Sequence, residues 1–358
     1  MNRRSMLMGA VGLVGAVATA AWWQAHRSAA AIGNAFLPTK SAVAGAGMTF
    51  REFGSTGLKV SEVGFGSWAI GGQAYGAVDK QNSLQALARA EELGCNFVDT
   101  AAVYGESERV LGEFIAGRRS RWIIASKYSG QAEGMTATLE RQLRDLRTDV
   151  IDFYQIHWVP RGNEESLFDE LEKLKRAGKV RFSGVSLYTA KDIDSVLARP
   201  QIDGFQVAFN LLEPDPFISR LSTIRTHNKA VIVRSALREG FLTGKFKRDA
   251  VFTDAADQRH TWSREQIAQT VDRVERFRFL EAEAGSMVAA AARYPLSFPE
   301  VSTVILGTKN ASQAASNFGQ VPGGRLSAAS LERIRELQIE MGLGDRWQRL
   351  LRTLKLKY

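Results

Sequence analysis

Residues 151–187 read IDFYQIHWVPRGNEESLFDELEKLKRAGKVRFSGVSL, and their pattern decides the fold. A short apolar run, Phe153–Ile156, is followed by a predicted helix over Glu164–Ala177 and a second apolar run, Val180–Val185. In the helix, Leu167, Leu171 and Leu174 share one face and Glu165, Asp169, Glu172 and Arg176 fall on the opposite one, so one side packs and the other is wet. The flanking runs are brief and too continuously apolar to keep one face in water. That is the pattern of parallel strands covered on both sides.

The same unit recurs in both directions. Further strand candidates are Val63–Gly66, Asn96–Val98, Trp122–Ala125, Gly204–Ala208, Ala230–Val233 and Thr303–Leu306. Between them lie helical patterns over Lys80–Leu93, Ser107–Ala116, Met135–Leu146, Ala190–Ala198, Phe217–His227 and Ala311–Phe318. Eight strands alternating with helices, with no Gly-rich dinucleotide fingerprint, predict an α/β fold of the closed (β/α)8 TIM barrel type rather than an open doubly wound sheet. Ahead of the first strand, Thr49–Phe53 and Leu58–Val60 flank Gly54-Ser55-Thr56-Gly57, a hairpin predicted to plug the barrel floor. A polar, irregular insertion over Phe246–Arg264 precedes extra C-terminal helices predicted at Arg264–Glu283 and Met287–Tyr294.

The termini read differently. Residues 1–47 open with Arg3 and Arg4, then an apolar stretch from Met6 to Trp23, the layout of an export signal. The paired arginines followed by Ser5-Met6-Leu7 match a twin-arginine signal, which predicts the export machinery as a partner and an exported, periplasmic location. Cleavage is expected near Val17-Ala18-Thr19-Ala20 or Ser28-Ala29-Ala30; uncleaved, the 18 residues from Met6 could anchor the chain in a bilayer. Residues 48–345 form the barrel domain, and 346–358 a basic amphipathic tail. In that tail Arg346, Arg349, Arg352 and Lys355 stand at helical spacing beside Trp347, Leu350, Leu351 and Leu354, suited to an anionic membrane surface or to docking on the barrel.

Composition excludes several classes. The single cysteine rules out an internal disulfide and a paired-thiolate zinc site, and four histidines leave little for a metal cluster, so no metal is expected. The net charge of +9 includes four cations and no acid from residues 1–45; the rest carries 43 basic and 38 acidic side chains, a net +5. No lysine-rich run with interleaved aromatics stands out, so no nucleic-acid partner is expected.

In a barrel of this type the C-terminal strand ends face the reaction. Those ends supply Asp99 after Phe97-Val98, Lys127 after Ile123-Ile124-Ala125-Ser126, and His157 after Tyr154-Gln155-Ile156, with Tyr104 in the loop beyond Asp99. An acid, a phenol, an amine and an imidazole thus emerge from three consecutive strands toward one mouth. A phenol with its free pKa of about 10 is poorly matched to proton exchange at neutral pH. A nearby cation stabilises the phenolate and lowers that value, the role open to Lys127. Asp99 would hold the lysine charged, and His157 would hydrogen-bond a carbonyl oxygen.

The chain resembles the aldo-keto reductase superfamily. The residues that carry the resemblance are REFGSTGLKVSEVGFGSW from Arg51, NFVDTAAVYGESERVLG from Asn96, IIASKYS from Ile123, DFYQIHW from Asp152, GVSLY from Gly184, SALREGFLTGKF from Ser235 and VSTVILGTKNASQAASN from Val301. The resemblance implies a catalytic tetrad of Asp99, Tyr104, Lys127 and His157, and an extended nicotinamide dinucleotide, NADP(H) with NAD(H) left open. It places Ser186 and Gln206 at the carboxamide, and Gly240, Leu242 and Lys245 in a loop over the pyrophosphate. Gly307, Thr308, Lys309, Gln313 and Asn317 fall at the adenosine end, where Lys309 could pair a ribose phosphate. Two departures stand out: Ser186-Leu187 where many relatives carry Ser-Asn, and Arg234 where many place a tyrosine under the nicotinamide. A guanidinium there can stack on a ring and favours its neutral, reduced form.

Trp68, Tyr75, Trp158 and Tyr188 follow strand ends and could wall a pocket for a sugar or aromatic carbonyl. The expected activity is hydride transfer between NADP(H) and a small carbonyl or alcohol substrate. The alternatives are a nicotinamide-nucleotide-binding barrel acting as a sensor or partner subunit, and an NAD-dependent aldose or alcohol dehydrogenase.

Overall fold

The computed structural model describes residues 47–344, apart from 73, 74, 77 and 159–163. The predicted export signal and the basic tail lie outside the described residues. A two-stranded antiparallel hairpin, β1 (Phe50–Glu52) and β2 (Lys59–Ser61), leads into eight parallel strands. These are β3 (Val63–Gly66), β4 (Phe97–Asp99), β5 (Ile123–Tyr128), β6 (Ile151–Ile156), β7 (Val180–Leu187), β8 (Gly204–Ala208), β9 (Ala230–Arg234) and β10 (Thr303–Gly307). They close in sequence order, β10 pairing with both β9 and β3, so the sheet has no free edge. The predicted TIM barrel is the observed fold.

Helices α1 (Lys80–Glu92), α2 (Ser107–Ile115), α3 (Ala132–Asp145), α4 (Glu164–Arg176), α5 (Ala190–Leu197) and α6 (Phe217–His227) wrap the first six crossovers. In α4, Leu167, Leu171 and Leu174 are buried as their spacing requires. After β9 come α7 (Arg264–Glu275), α8 (Glu281–Ala284) and α9 (Met287–Leu296), and after β10 come α10 (Ala311–Gly319) and α11 (Ala328–Glu340).

The hairpin seals the floor with Phe53, which is fully buried. Its ring lies 5.6 Å from Phe97 and 5.0 Å from Phe153, both projecting inward near the lower ends of their strands. Three phenylalanines fit inside one barrel because glycines stand opposite them. A Cβ on Gly184 would come within 2.2 Å of Phe153, and one on Gly64 within 2.8 Å of Phe97. Gly54 turns the hairpin at φ +56°, where its backbone lies against Ala230.

The differences from sequence expectation have physical causes. β5 continues through Lys127 to Tyr128 and β9 ends on Arg234, because these charges point into the barrel whereas pattern reading places a charge in water. The single helix predicted at Arg264–Glu283 is broken into α7, a short turn at Arg278–Leu280 and α8. The break buries Phe277 and Leu280 and lets Arg278 reach the Gly244 carbonyl at 2.6 Å. The insertion predicted as polar and irregular carries an aromatic cluster: Trp262 stacks on Phe241 at 5.0 Å, and Phe246 meets Phe252 edge-on at 5.2 Å. The spacing of apolar residues did not single out α11.

Removing the plug should be costly. Phe53→Ala is expected to lose about 3–5 kcal/mol of unfolding free energy, the usual range for a buried aromatic ring. Urea unfolding that left the midpoint within error of wild type would show the floor ring to be dispensable.

Candidate active site

The arrangement at the barrel mouth begins with register. Lys127 on β5 pairs with Gln155 on β6, Gln155 with Gly184 on β7, and Ser186 on β7 with Gln206 on β8. Strand alternation sends Lys127, Gln155, Ser186 and Gln206 inward. Asp99 ends β4, and its Oδ1 accepts a 2.5 Å hydrogen bond from the Lys127 ammonium. Lys127 also donates to the Thr100 carbonyl at 2.8 Å and to the Tyr104 hydroxyl at 3.4 Å. The second oxygen of Asp99 accepts from Gln206 at 2.8 Å and from Gln155 at 3.3 Å. Two charges buried together are tolerable only with such satisfied partners.

Electrostatics sort the roles. Burial pushes the Lys127 pKa down, but Asp99 and Tyr104 together outweigh it and the ammonium is held above its ordinary value. Burial lifts the Tyr104 phenol above its ordinary value and exceeds the opposing pull of Lys127. The expected net lowering of that phenol is therefore corrected: the lysine acts in the expected direction, but desolvation wins. His157 is pushed down to about 3 by burial, then by Lys127 and Arg234, so its imidazole is neutral across the working pH range. Its Nδ1 lies 3.3 Å from the Ser129 hydroxyl, and a hydroxyl donating there leaves the proton on Nε2. The Tyr104 and His157 rings meet edge-on at 5.7 Å. All four predicted residues converge.

A cleft of about 850 Å³ opens above them. Asp99, Tyr104, His157, Gln206, Arg234, Gly240, Lys245, Gly307, Lys309, Gln313 and Asn317 line it, as do Trp68, Tyr75 and Tyr188. Five predicted residues do not reach its surface. Lys127 and Ser186 lie beneath it, fully buried, and the Ser186 Oγ has no hydrogen-bond partner. Leu242 is buried, and its N–H, like that of Gly240, is already given to the Leu237 carbonyl. These two amides are not free for a pyrophosphate, contrary to expectation, because the loop folds as a tight turn. Thr308 is buried against Asn317, whose amide donates to its hydroxyl at 2.9 Å. Trp158 is outside the cleft lining, with its ring 4.7 Å from His157.

The cleft suits a polyanionic dinucleotide. Lys245, Arg259 and Lys309 face it together, and burial, aided by Arg259 against the opposing pull of Asp257, holds both lysines below their ordinary pKa. Lys309 donates to the Tyr75 carbonyl, and its own N–H bonds Gln313 at 2.8 Å. Arg234 hydrogen-bonds the Leu187 carbonyl at 3.2 Å and lies 4.7 Å over the Tyr188 ring. Among the described residues no group of His, Cys, Asp or Glu is placed to hold a metal.

Sequence reasoning missed two residues. Gln155 stands two positions before His157 on a buried strand, so alternation alone could have placed it inward. Arg259 lies in the insertion, bound to Asp257 and, at 2.9 Å, to the Glu239 carbonyl; no local signal marks it.

Comparison with known proteins agrees with this geometry. The sequence model described as "Aldo/keto reductase family" matches residues 62–339. Aldo-keto reductase YhdN of Bacillus subtilis is 30% identical over 222 residues, 57% of this chain and 67% of that protein. L-galactose dehydrogenase of Arabidopsis thaliana is 28% identical over 76% of this chain and 87% of its own. The solved structure of the glycerol dehydrogenase AKR11B4 from Gluconobacter oxydans superposes with a TM-score of 0.72 at 26% identity, covering 83% of this chain and 97% of that one. The barrel, the buried ion pair beneath a tyrosine and these matches agree: this chain belongs to the aldo/keto reductase family, oxidoreductases that interconvert carbonyls and alcohols with a nicotinamide cofactor.

Proposed function

We propose that this protein is an exported, NADP(H)-dependent carbonyl reductase of the alcohol dehydrogenase type. The observation that carries the reading is the Tyr104 phenol, 3.4 Å from the Lys127 ammonium and facing a neutral His157. The bound nicotinamide supplies or accepts the hydride. His157 donates a hydrogen bond to the carbonyl oxygen and fixes its approach. Tyr104 gives its proton to that oxygen as negative charge develops. Lys127 stabilises the phenolate left behind, and Asp99 keeps the ammonium charged and in place. Ser186, with its unpartnered buried hydroxyl, and Gln206 would hold the carboxamide.

Preference for NADP over NAD rests on the three cations Lys245, Arg259 and Lys309, whose mutual repulsion an additional phosphate relieves. Trp68, Val103 and Tyr188 are exposed aromatic or branched side chains lining the cleft, which favours a carbonyl carried on a ring, aromatic or sugar. The paired Arg3-Arg4 and the Met6–Trp23 run support twin-arginine export to the periplasm as a folded, cofactor-loaded protein. The N-terminal segment, if retained, would contact the membrane surface, and the basic tail would either dock on the barrel or lie on that surface; no nucleic-acid partner is proposed. Such a protein outside the cytoplasm must carry its cofactor with it or have it regenerated by a partner.

Three outcomes follow. Tyr104→Phe is expected to cut reductase turnover about 10²–10⁴-fold while the NADPH dissociation constant stays unchanged; near-full turnover would remove Tyr104 from the role of acid. Fluorescence titration should find NADPH bound more tightly than NADP⁺, with the gap narrowing in Arg234→Gln; tighter NADP⁺ binding by the wild type would contradict the assigned effect of the guanidinium. Mass spectrometry of ligand released from periplasm-purified protein should detect NADP(H). Protein recovered only from the cytoplasm would refute export, and NAD(H) as the released ligand would refute the cofactor.

A further inference from the structure

Behind Lys127, on the side of β5 away from the cleft, lies a buried polar cluster that the chemistry above does not use. Glu108 sits in the first turn of α2 and is almost wholly enclosed. Its Oε1 accepts from the Ser126 hydroxyl and from the Gln142 amide, each at 2.7 Å. The same Gln142 amide lies 2.7 Å from the Ser126 hydroxyl and reaches the Lys127 carbonyl at 3.3 Å, and the Gln142 Oε1 accepts from Tyr154 at 2.6 Å. Among the described residues Glu108 forms no ion pair. The charged groups that act on it are Asp145 and Arg141, and desolvation raises its pKa.

The placement of this cluster is what gives it a purpose. Tyr104 enters α2 directly, since the Ser107 N–H bonds the Tyr104 carbonyl at 3.0 Å. Glu108 is therefore one turn from the catalytic phenol, and its carboxyl grips Ser126, the immediate neighbour of Lys127. A buried carboxyl is expensive to place between a helix and a strand, and an apolar side chain would pack there at lower cost. We propose that Glu108 is a positioning residue that ties the tyrosine-bearing turn to the lysine-bearing strand and so sets the separation of Tyr104 from Lys127. Loosening that tie lets the ammonium draw away from the phenol, which then holds its proton more tightly.

The inference rests on Tyr104 being the proton-transfer group, and the test separates the two. Benzyl alcohol oxidation with NADP⁺ requires the phenolate, so kcat rises with pH through the Tyr104 pKa. In Glu108→Leu this limb should move to higher pH by about one unit and kcat at neutral pH should fall about tenfold, with KM and the NADP⁺ dissociation constant unchanged. Glu108→Gln, which keeps the acceptor oxygen and the shape, should restore both. Should Glu108→Leu fail to fold, Gln142→Met and Ser126→Ala interrupt the same tie and should shift the limb in the same direction. An unmoved limb in the leucine variant, or in both replacement variants, overturns the proposal, as does a glutamine variant no better than leucine. A limb that persists in Tyr104→Phe would overturn the assignment of the phenol as well.

Discussion

A lysine with no exposure to water is the constraint around which this barrel is organised. An ammonium cannot be left unpaired inside a protein, so Lys127 takes Asp99 as counter-ion and the Thr100 carbonyl as a further acceptor. Asp99 then needs donors for its other oxygen; Gln206 supplies one from β8 across the barrel and Gln155 another from β6, next to the lysine-bearing strand. Four strands are thereby committed to polar residues at one height. The remaining direction of the ammonium faces the Tyr104 hydroxyl.

The same low-dielectric setting pushes the two neighbouring groups in useful directions. Desolvation and the adjacent cations keep His157 neutral, so its ring N–H can donate a hydrogen bond without carrying charge. Desolvation also raises the Tyr104 phenol above its ordinary value, which favours its protonated form. Farther out, the cleft changes character: Lys245, Arg259 and Lys309 stand on one wall, with Arg259 ion-paired to Asp257 and burial holding both lysines below their ordinary values. Along one groove the buried ion pair thus rests on strand ends and the three outer cations on loops.

Much of this was legible in the sequence. Buried parallel strands announce themselves as continuous apolar runs, and an aspartate, lysine or histidine at the end of such a run is conspicuous because nothing in the run accounts for it. Partnerships across the barrel were not legible: Gln155 meets an aspartate 56 residues away, and an uncharged amide in an apolar strand attracts no notice. The loop after β9 also misled, since its glycines suggest amides open to an anion, whereas those of Gly240 and Leu242 close onto Leu237. The insertion looked irregular because its aromatics follow no period; they cluster in space, around Phe241, rather than along the chain.

The three rings at the bottom of the drum have one more consequence. With Phe53, Phe97 and Phe153 filling the lower lumen, nothing passes through the axis, and every molecule that enters must leave by the rim where it came in. Dinucleotide and carbonyl compound therefore share a single doorway. Anything seated deep in the cleft passes the rim residues both on entering and on leaving.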